Sequence, residues 1–226
     1  MNKDRHYESC LKGRAETAAQ QVLKMAGSSG VLRARDLAEQ GIPRIVLSRL
    51  EKRGLLKRLG RGLYALPESD ITEFHAFAEA SKRIPRGVIC LLSALRFHGL
   101  TTQSPFEVWL AIDIKARKPR VESPPLRIVR FSRESLVYGV ERHLVEGVPV
   151  RITSPAKTVA DCFKYRNKIG LDAAMEALRD YRRLRKGPLD DLWRAAEVCR
   201  VTAVIRPYLE AIGFQGKKEL TNYDCP

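Results

Sequence analysis

Residues 31–66 read VLRARDLAEQGIPRIVLSRLEKRGLLKRLGRGLYAL, and the punctuation inside this stretch decides the fold. The segment around Ala34–Gln40 has helical spacing and stops at Gly41, where a left-handed cap suits glycine. Pro43 follows, a residue favoured in the first turn of a helix, and the next helix runs from it to Gly54. The link between the two helices is a few residues long and contains glycine, as in a helix-turn-helix. After Gly54, two short apolar-polar runs flank Gly60-Arg61-Gly62, the pattern of a β-hairpin. Upstream, ETAAQQVLKMA predicts one more helix, ended by Gly27-Ser28-Ser29-Gly30. Three helices followed by a basic-tipped hairpin is the order of a winged helix-turn-helix.

Helical geometry sorts the third helix into two faces at about 100° per residue. Val46, Leu47, Leu50 and the stem of Arg53 share one face; Arg44, Ile45, Ser48, Arg49 and Lys52 share the other. The second set suits a major groove, where arginine pairs with guanine edges, serine serves several bases and an exposed isoleucine meets a thymine methyl. Lys57, Arg58 and Arg61 surround the hairpin turn, and Arg33 and Arg35 open the second helix. Those positions suit phosphate contacts, which set affinity and register rather than sequence choice. Each feature alone also fits a solvated basic face; their agreement favours duplex DNA.

Charge distribution supports this placement. The 226 residues carry a formal net charge of +15. Residues 1–70 contain fourteen Lys and Arg against eight Asp and Glu, and residues 31–62 contain nine against three. The N-terminal surplus therefore lies wholly within the stretch just read, which makes it the first place to expect a polyanion. Residues 71–226 hold twenty-seven against eighteen, a thinner coating.

Beyond a linker at Pro67-Glu68-Ser69-Asp70 the pattern changes. Ile71–Arg83 and Val88–His98 read as helices, and Glu107–Ile112, Leu126–Phe131 and Val148–Ile152 as strands. A helix opens at Ser154-Pro155, with serine as N-cap and proline in the first turn. Further helices follow over Leu171–Leu184, Pro188–Cys199 and Ala203–Ile212. The fold class is α+β: an N-terminal winged helix-turn-helix (residues 1–67), then a mixed α/β domain with a small sheet and several helices (71–212). Residues 213–226 form a loosely ordered tail.

Catalytic chemistry has little support. GxGxxG, GxxxxGK[ST], GxSxG and HExxH are all absent. Glu107, Asp113, Glu122 and Asp161 have no defensible metal spacing; Asp161 is expected to bond a nearby backbone group or arginine. Five widely spaced cysteines without a CxxC pair argue against a disulfide framework or zinc ribbon, and Cys90 and Cys162 read as core residues. The basic cluster Arg179, Arg182, Arg183, Arg185 and Lys186 is explained by a helix C-terminus, with a second polyanion site there the weaker alternative; Lys115, Arg117, Lys118 and Arg120 form a basic loop that is either solvated charge alone or an addition to DNA affinity. With no signal peptide or membrane span evident, the expectation is a cytoplasmic, non-enzymatic protein without cofactor or metal.

The chain resembles the AbiEi-type antitoxins, the transcriptional-regulator half of type IV toxin–antitoxin pairs. The resemblance rests on residues 31–66 with their R-G-x-Y ending (Arg61-Gly62-Leu63-Tyr64) and on VICLLSALRFHGLT. It rests also on VPVRITSPAKTVADCF, similar to a T-S-P-x-[KR]-T-x-x-D segment through Thr153, Ser154, Pro155, Lys157, Thr158 and Asp161. It implies an autorepressor that binds inverted repeats in its own promoter, as a dimer or as paired copies. It further implies that the C-terminal domain counters a nucleotidyltransferase-like toxin without a stable complex. Related chains that carry an endonuclease-like module end in an E-x-D-G-like motif, absent here after Asp161. An alternative is a stand-alone winged-helix transcription factor whose C-terminal domain senses a ligand or dimerises.

Overall fold

The computed structural model describes residues 17–67 and 72–212. The chain divides into two compact units, residues 1–72 with 146–148, and residues 73–145 with 149–226. The tail expected over 213–226, most of the linker, Cys10 and Cys225 lie outside the described residues.

The first unit contains α1 (Ala18–Ser29), β1 (Leu32–Arg33), α2 (Ala34–Glu39), α3 (Ile45–Lys52), β2 (Lys57–Gly60) and β3 (Leu63–Ala65). A reciprocal capping box starts α1. The Gln20 N–H donates to Thr17 Oγ1 at 3.3 Å, and the Thr17 N–H donates to Gln20 Oε1 at 2.9 Å, satisfying two otherwise orphaned donors. Gly27, expected to end this helix, lies within it; the helix stops at Gly30, where φ is +53°.

Helices α2 and α3 end alike. Ile42 N–H bonds Leu37 O at 2.9 Å around Gly41, and Leu55 N–H bonds Leu50 O at 3.0 Å around Gly54. Both glycines have φ near +70°, the left-handed conformation that this six-to-one closure requires. The three strands form an antiparallel sheet in the order β1-β3-β2, with Arg58 opposite Tyr64 and Leu32 opposite it on the other side.

The second unit contains α4 (His75–Arg83), β4 (Val88–Ile89), α5 (Leu91–His98), β5 (Val108–Asp113), β6 (Leu126–Phe131), α6 (Arg133–Val137), β7 (Val140–Val145) and β8 (Val148–Thr153). It continues with α7 (Pro155–Lys164), α8 (Arg166–Ile169), α9 (Leu171–Arg183), α10 (Leu189–Cys199) and α11 (Thr202–Ala211). Its sheet is mixed, in the order β6-β5-β4-β8-β7. The segment expected as one helix over Val88–His98 is divided: Val88-Ile89 is the central strand, antiparallel to β5 and parallel to β8. A fully buried two-residue strand has no alternating pattern, so its apolar run merges with that of the helix after it. Strand β7 and helix α6 were also not anticipated.

Helix α7 is the hub of this unit. It packs against α5, α8, α9, α10 and α11, and every residue from Lys157 to Phe163 is buried. A helix buried on all sides must satisfy its polar side chains internally. Thr158 Oγ1 donates to the backbone, with Ser154 O at 2.8 Å and Thr153 O at 3.0 Å. Lys157 Nζ lies 2.6 Å and 2.5 Å from the two oxygens of Asp161, one turn later, and neither side chain is exposed. Cys199 Sγ donates to Asp161 Oδ1 at 3.1 Å, and the Lys157 ammonium sits 4.7 Å from the Phe131 ring centre. Burial disfavours the ammonium, but the charge of Asp161, the neighbouring Cys199 and the hydrogen bonds to both together offset it, and the Lys157 pKa is raised. Asp161 thus bonds a lysine, not the backbone group or arginine expected.

Removing one member of such a pair strands a buried charge and costs about 3–5 kcal/mol. Lys157→Met and Asp161→Asn are each expected to lower unfolding free energy by about that amount in urea titrations. Lys157→Met combined with Asp161→Asn should cost clearly less than the sum of the single changes, because no charge is then left alone. Additive losses would show that the two side chains do not act as a pair.

Candidate nucleic-acid interface

Helix α3 is held from behind. Leu47 and Leu50 are buried and Val46 is half-buried, within a core that also contains Val22, Ala26, Leu37, Ile42, Leu56 and Tyr64. Helix α1 packs against α3 and also against β1 and β3, so one helix supports both the third helix and the sheet. The opposite face of α3 is bare: Arg44, Ser48, Arg49 and Lys52 are exposed, and Ile45 is 56% exposed. Arg53, whose stem was expected on the apolar face, is exposed instead, because the helix ends at Lys52 and Arg53 occupies the C-cap.

The hairpin separates structural from free positions by strand order. β3 is the central strand, and Leu63, Tyr64 and Ala65 are all buried; β2 is an edge, and Lys57 and Arg58 are exposed on it. A bulge falls between Arg58 and Gly60, and Arg58 Nε donates to Gly60 O at 3.3 Å, bending the guanidinium back toward the turn. Arg61 is exposed in the turn itself.

Strand β1, which sequence reasoning did not find, explains where Arg33 and Arg35 sit. Arg33 pairs with Leu63 beside the turn, and the Ala34 N–H donates to Gly62 O at 2.9 Å. The Arg33 N–H donates to Asp36 Oδ2 at 3.2 Å, starting α2 from the end of the strand. The second helix therefore begins at the hairpin turn, with Arg33 half-buried and Arg35 exposed. The only trace of β1 in the sequence is the Val31-Leu32 pair before Arg33.

Among the described residues, the side chains of Arg33, Arg35, Arg44, Arg49, Lys52, Lys57 and Arg61 have neither an ion pair nor a hydrogen bond. An array of cations without ion-pair partners, six of the seven exposed, raises the local positive potential, the condition for attracting a polyanion.

Three of the four carboxylates considered as metal ligands are otherwise engaged, and the fourth, Glu122, is exposed in the loop before β6. Glu107 pairs with Arg127 at 3.5 Å, Asp113 Oδ1 accepts the Lys115 N–H at 2.8 Å, and Asp161 belongs to the buried pair. Among the described residues no three His, Cys, Asp or Glu are grouped as a metal site would need, and no helix is long and apolar enough to cross a membrane.

Residues 20–67 match the model of a family described as a transcriptional regulator, AbiEi antitoxin. No curated protein matches the chain. Among solved structures, the fold is similar to the crystal structure of the RV2827C protein from Mycobacterium tuberculosis. The TM-score is 0.51 at 15% identity, covering 81% of this chain and 72% of that one.

The two faces of α3 predict opposite mutational behaviour. Leu50→Ala should destabilise the protein by about 2–5 kcal/mol, since it removes a buried side chain and leaves a cavity. Arg44→Ala and Arg49→Ala should change stability by no more than about 0.5 kcal/mol, as surface positions do. Chemical denaturation of the three variants checks this; a large loss in either arginine variant would mean that its side chain supports the fold.

Proposed function

We propose that the chain is a DNA-binding transcriptional autorepressor, the antitoxin of a type IV toxin–antitoxin pair. The observation that carries this reading is the unpaired cation array on α3 and the hairpin, which falls inside the 48-residue segment matching the regulator family. On this reading the first unit is a winged helix-turn-helix. Arg44, Ile45, Ser48, Arg49 and Lys52 face the major groove, where Arg44 and Arg49 are the candidates for reading guanine and Ile45 for touching a thymine methyl. Lys57, Arg58 and Arg61 of the wing, with Arg33 and Arg35, lie along the phosphates. The protein does no chemistry of its own, needs no cofactor, and acts in the cytoplasm.

The operator is an inverted repeat in the protein's own promoter, occupied by a dimer or by two copies. The second unit counters a nucleotidyltransferase-like toxin without forming a stable complex. The family match stops at residue 67, which leaves room for a second reading, a stand-alone transcription factor whose C-terminal unit senses a ligand or dimerises. A nucleotidyltransferase gene immediately downstream separates the two, being required by the first and not by the second.

A salt-titrated gel shift tests DNA recognition, using DNA from just upstream of the gene and a shuffled control. The expected result is tighter binding to the upstream fragment that persists near physiological salt. Arg44→Ala or Arg49→Ala should weaken that binding by about 1–3 kcal/mol where a base contact is lost. Lys57→Ala or Arg58→Ala should weaken both fragments alike and make the salt dependence shallower. Unchanged affinity in both α3 variants, with the fold intact, would remove α3 as the reading helix.

A further inference from the structure

The parallel strands β5 and β6 are joined by residues 114–125, which contain no helix or strand. Because the strands are parallel, this connection must carry the chain back from the end of β5 to the start of β6. Both of its ends are fixed. Arg130 Nη1 donates toward the carbonyls of Asp113, Ile114 and Ala116, at 3.3, 2.8 and 2.7 Å, and the Ile114 N–H donates to Phe131 O at 2.9 Å. At the far end, the Val108 N–H donates to Pro125 O at 2.9 Å.

Between these anchors Lys115, Arg117, Lys118 and Arg120 are all exposed. Among the described residues none of the four side chains has an ion pair or a hydrogen bond, and residues 114–121 contain no acid. The neighbouring cations on β6 are committed elsewhere. Arg130 shapes the loop, and Arg127 pairs with Glu107 and lies over the Trp109 ring. Arg130 thus holds in place the start of a loop that presents four other cations to solvent.

We infer that Lys115, Arg117, Lys118 and Arg120 form a second phosphate-contacting surface, used on the backbone of duplex DNA. Four like charges within six residues repel one another in the free protein, and a line of phosphates relieves that repulsion. The side chains are long and the loop lacks regular structure, which suits a repeating charge lattice and not readout of base edges. An acidic protein surface fits less well: protein interfaces centre on buried aromatic or aliphatic anchors, whereas residues 114–125 have no aromatic and a single exposed large hydrophobic, Ile114. The surface adds affinity without sequence preference. The choice of DNA as the polyanion rests on the proposed function; the charge array itself does not.

The test is the salt dependence of binding by the full-length protein in which Lys115, Arg117, Lys118 and Arg120 are all changed to Gln. Fluorescence anisotropy is read on the upstream fragment and on its shuffled control, with a melting curve confirming the fold. Each phosphate contact contributes about 0.9 to the slope of log K against log salt. The variant should therefore bind both fragments at least about tenfold more weakly near 0.15 M salt, with a slope shallower by roughly 3–4. An unchanged slope and affinity on both fragments overturns the inference. So does a variant that binds DNA normally but no longer binds poly-glutamate, an outcome that assigns the loop to an acidic protein. A doubly substituted Arg44→Ala, Arg49→Ala protein is measured in parallel. If it binds like the parent while the loop variant loses affinity, the α3 reading fails and the loop surface stands.

Discussion

The second unit depends on a helix that is buried on every side through its middle, from Lys157 to Phe163. Helix α7 is enclosed by five other helices, yet its sequence, PAKTVADCFK, places a lysine, a threonine and an aspartate among its buried positions. Taking a single ammonium or carboxylate out of water costs several kcal/mol. Lys157 and Asp161 avoid that isolation because they are four residues apart on one helix, which brings them face to face. The geometry is strict: the ammonium meets both carboxylate oxygens, Cys199 supplies a further donor from α10, and Phe131 of β6 offers its ring to the cation. One charge pair therefore touches its own helix, the neighbouring helix and the sheet.

This changes how the T-S-P-x-[KR]-T-x-x-D segment is understood. Read as a string, its hydroxyls and charges resemble a functional motif. In the fold, Thr153, Lys157, Thr158 and Asp161 are wholly buried. Thr153 and Thr158 bond each other at 2.7 Å, Ser154 caps the helix through the Lys157 N–H, and the two charges neutralise each other. Its buried side-chain polar groups are spent on one another, on backbone carbonyls and on Cys199. The segment explains why α7 can be buried.

What the sequence disclosed follows the strength of the local signals. The second and third helices of the first unit were legible because Gly41 and Gly54 mark boundaries with a backbone requirement, and because α3 alternates buried and exposed residues with helical period. The hairpin was legible from its glycine-flanked turn. Strands β1 and β4 were not, for one shared reason: each is two residues long, and two residues have no period. Their existence is set by pairing partners distant in sequence, Leu63 and Tyr64 for β1, and Leu110, Ala111 and Ile152 for β4. Since β1 is the element that delivers Arg33 to the hairpin turn, the residue types of the candidate interface were readable while part of its assembly was not.

Composition counts forty-one cations and cannot separate those that hold the protein together from those left for something else. Pairing does separate them. Lys157, Arg83, Arg127, Arg130 and Arg183 each hold a structural partner: a carboxylate, an aromatic ring or backbone carbonyls. The seven unpaired cations of the first unit and the four of the 114–125 loop have none. A cation without a partner contributes repulsion to the folded state and is retained at some cost in stability. In both units, the fold places these residues on supports built from other residues: Leu47 and Leu50 behind α3, and Arg130 beneath the loop. Support and presentation by separate side chains is what allows a charged surface to change without unfolding the unit that carries it.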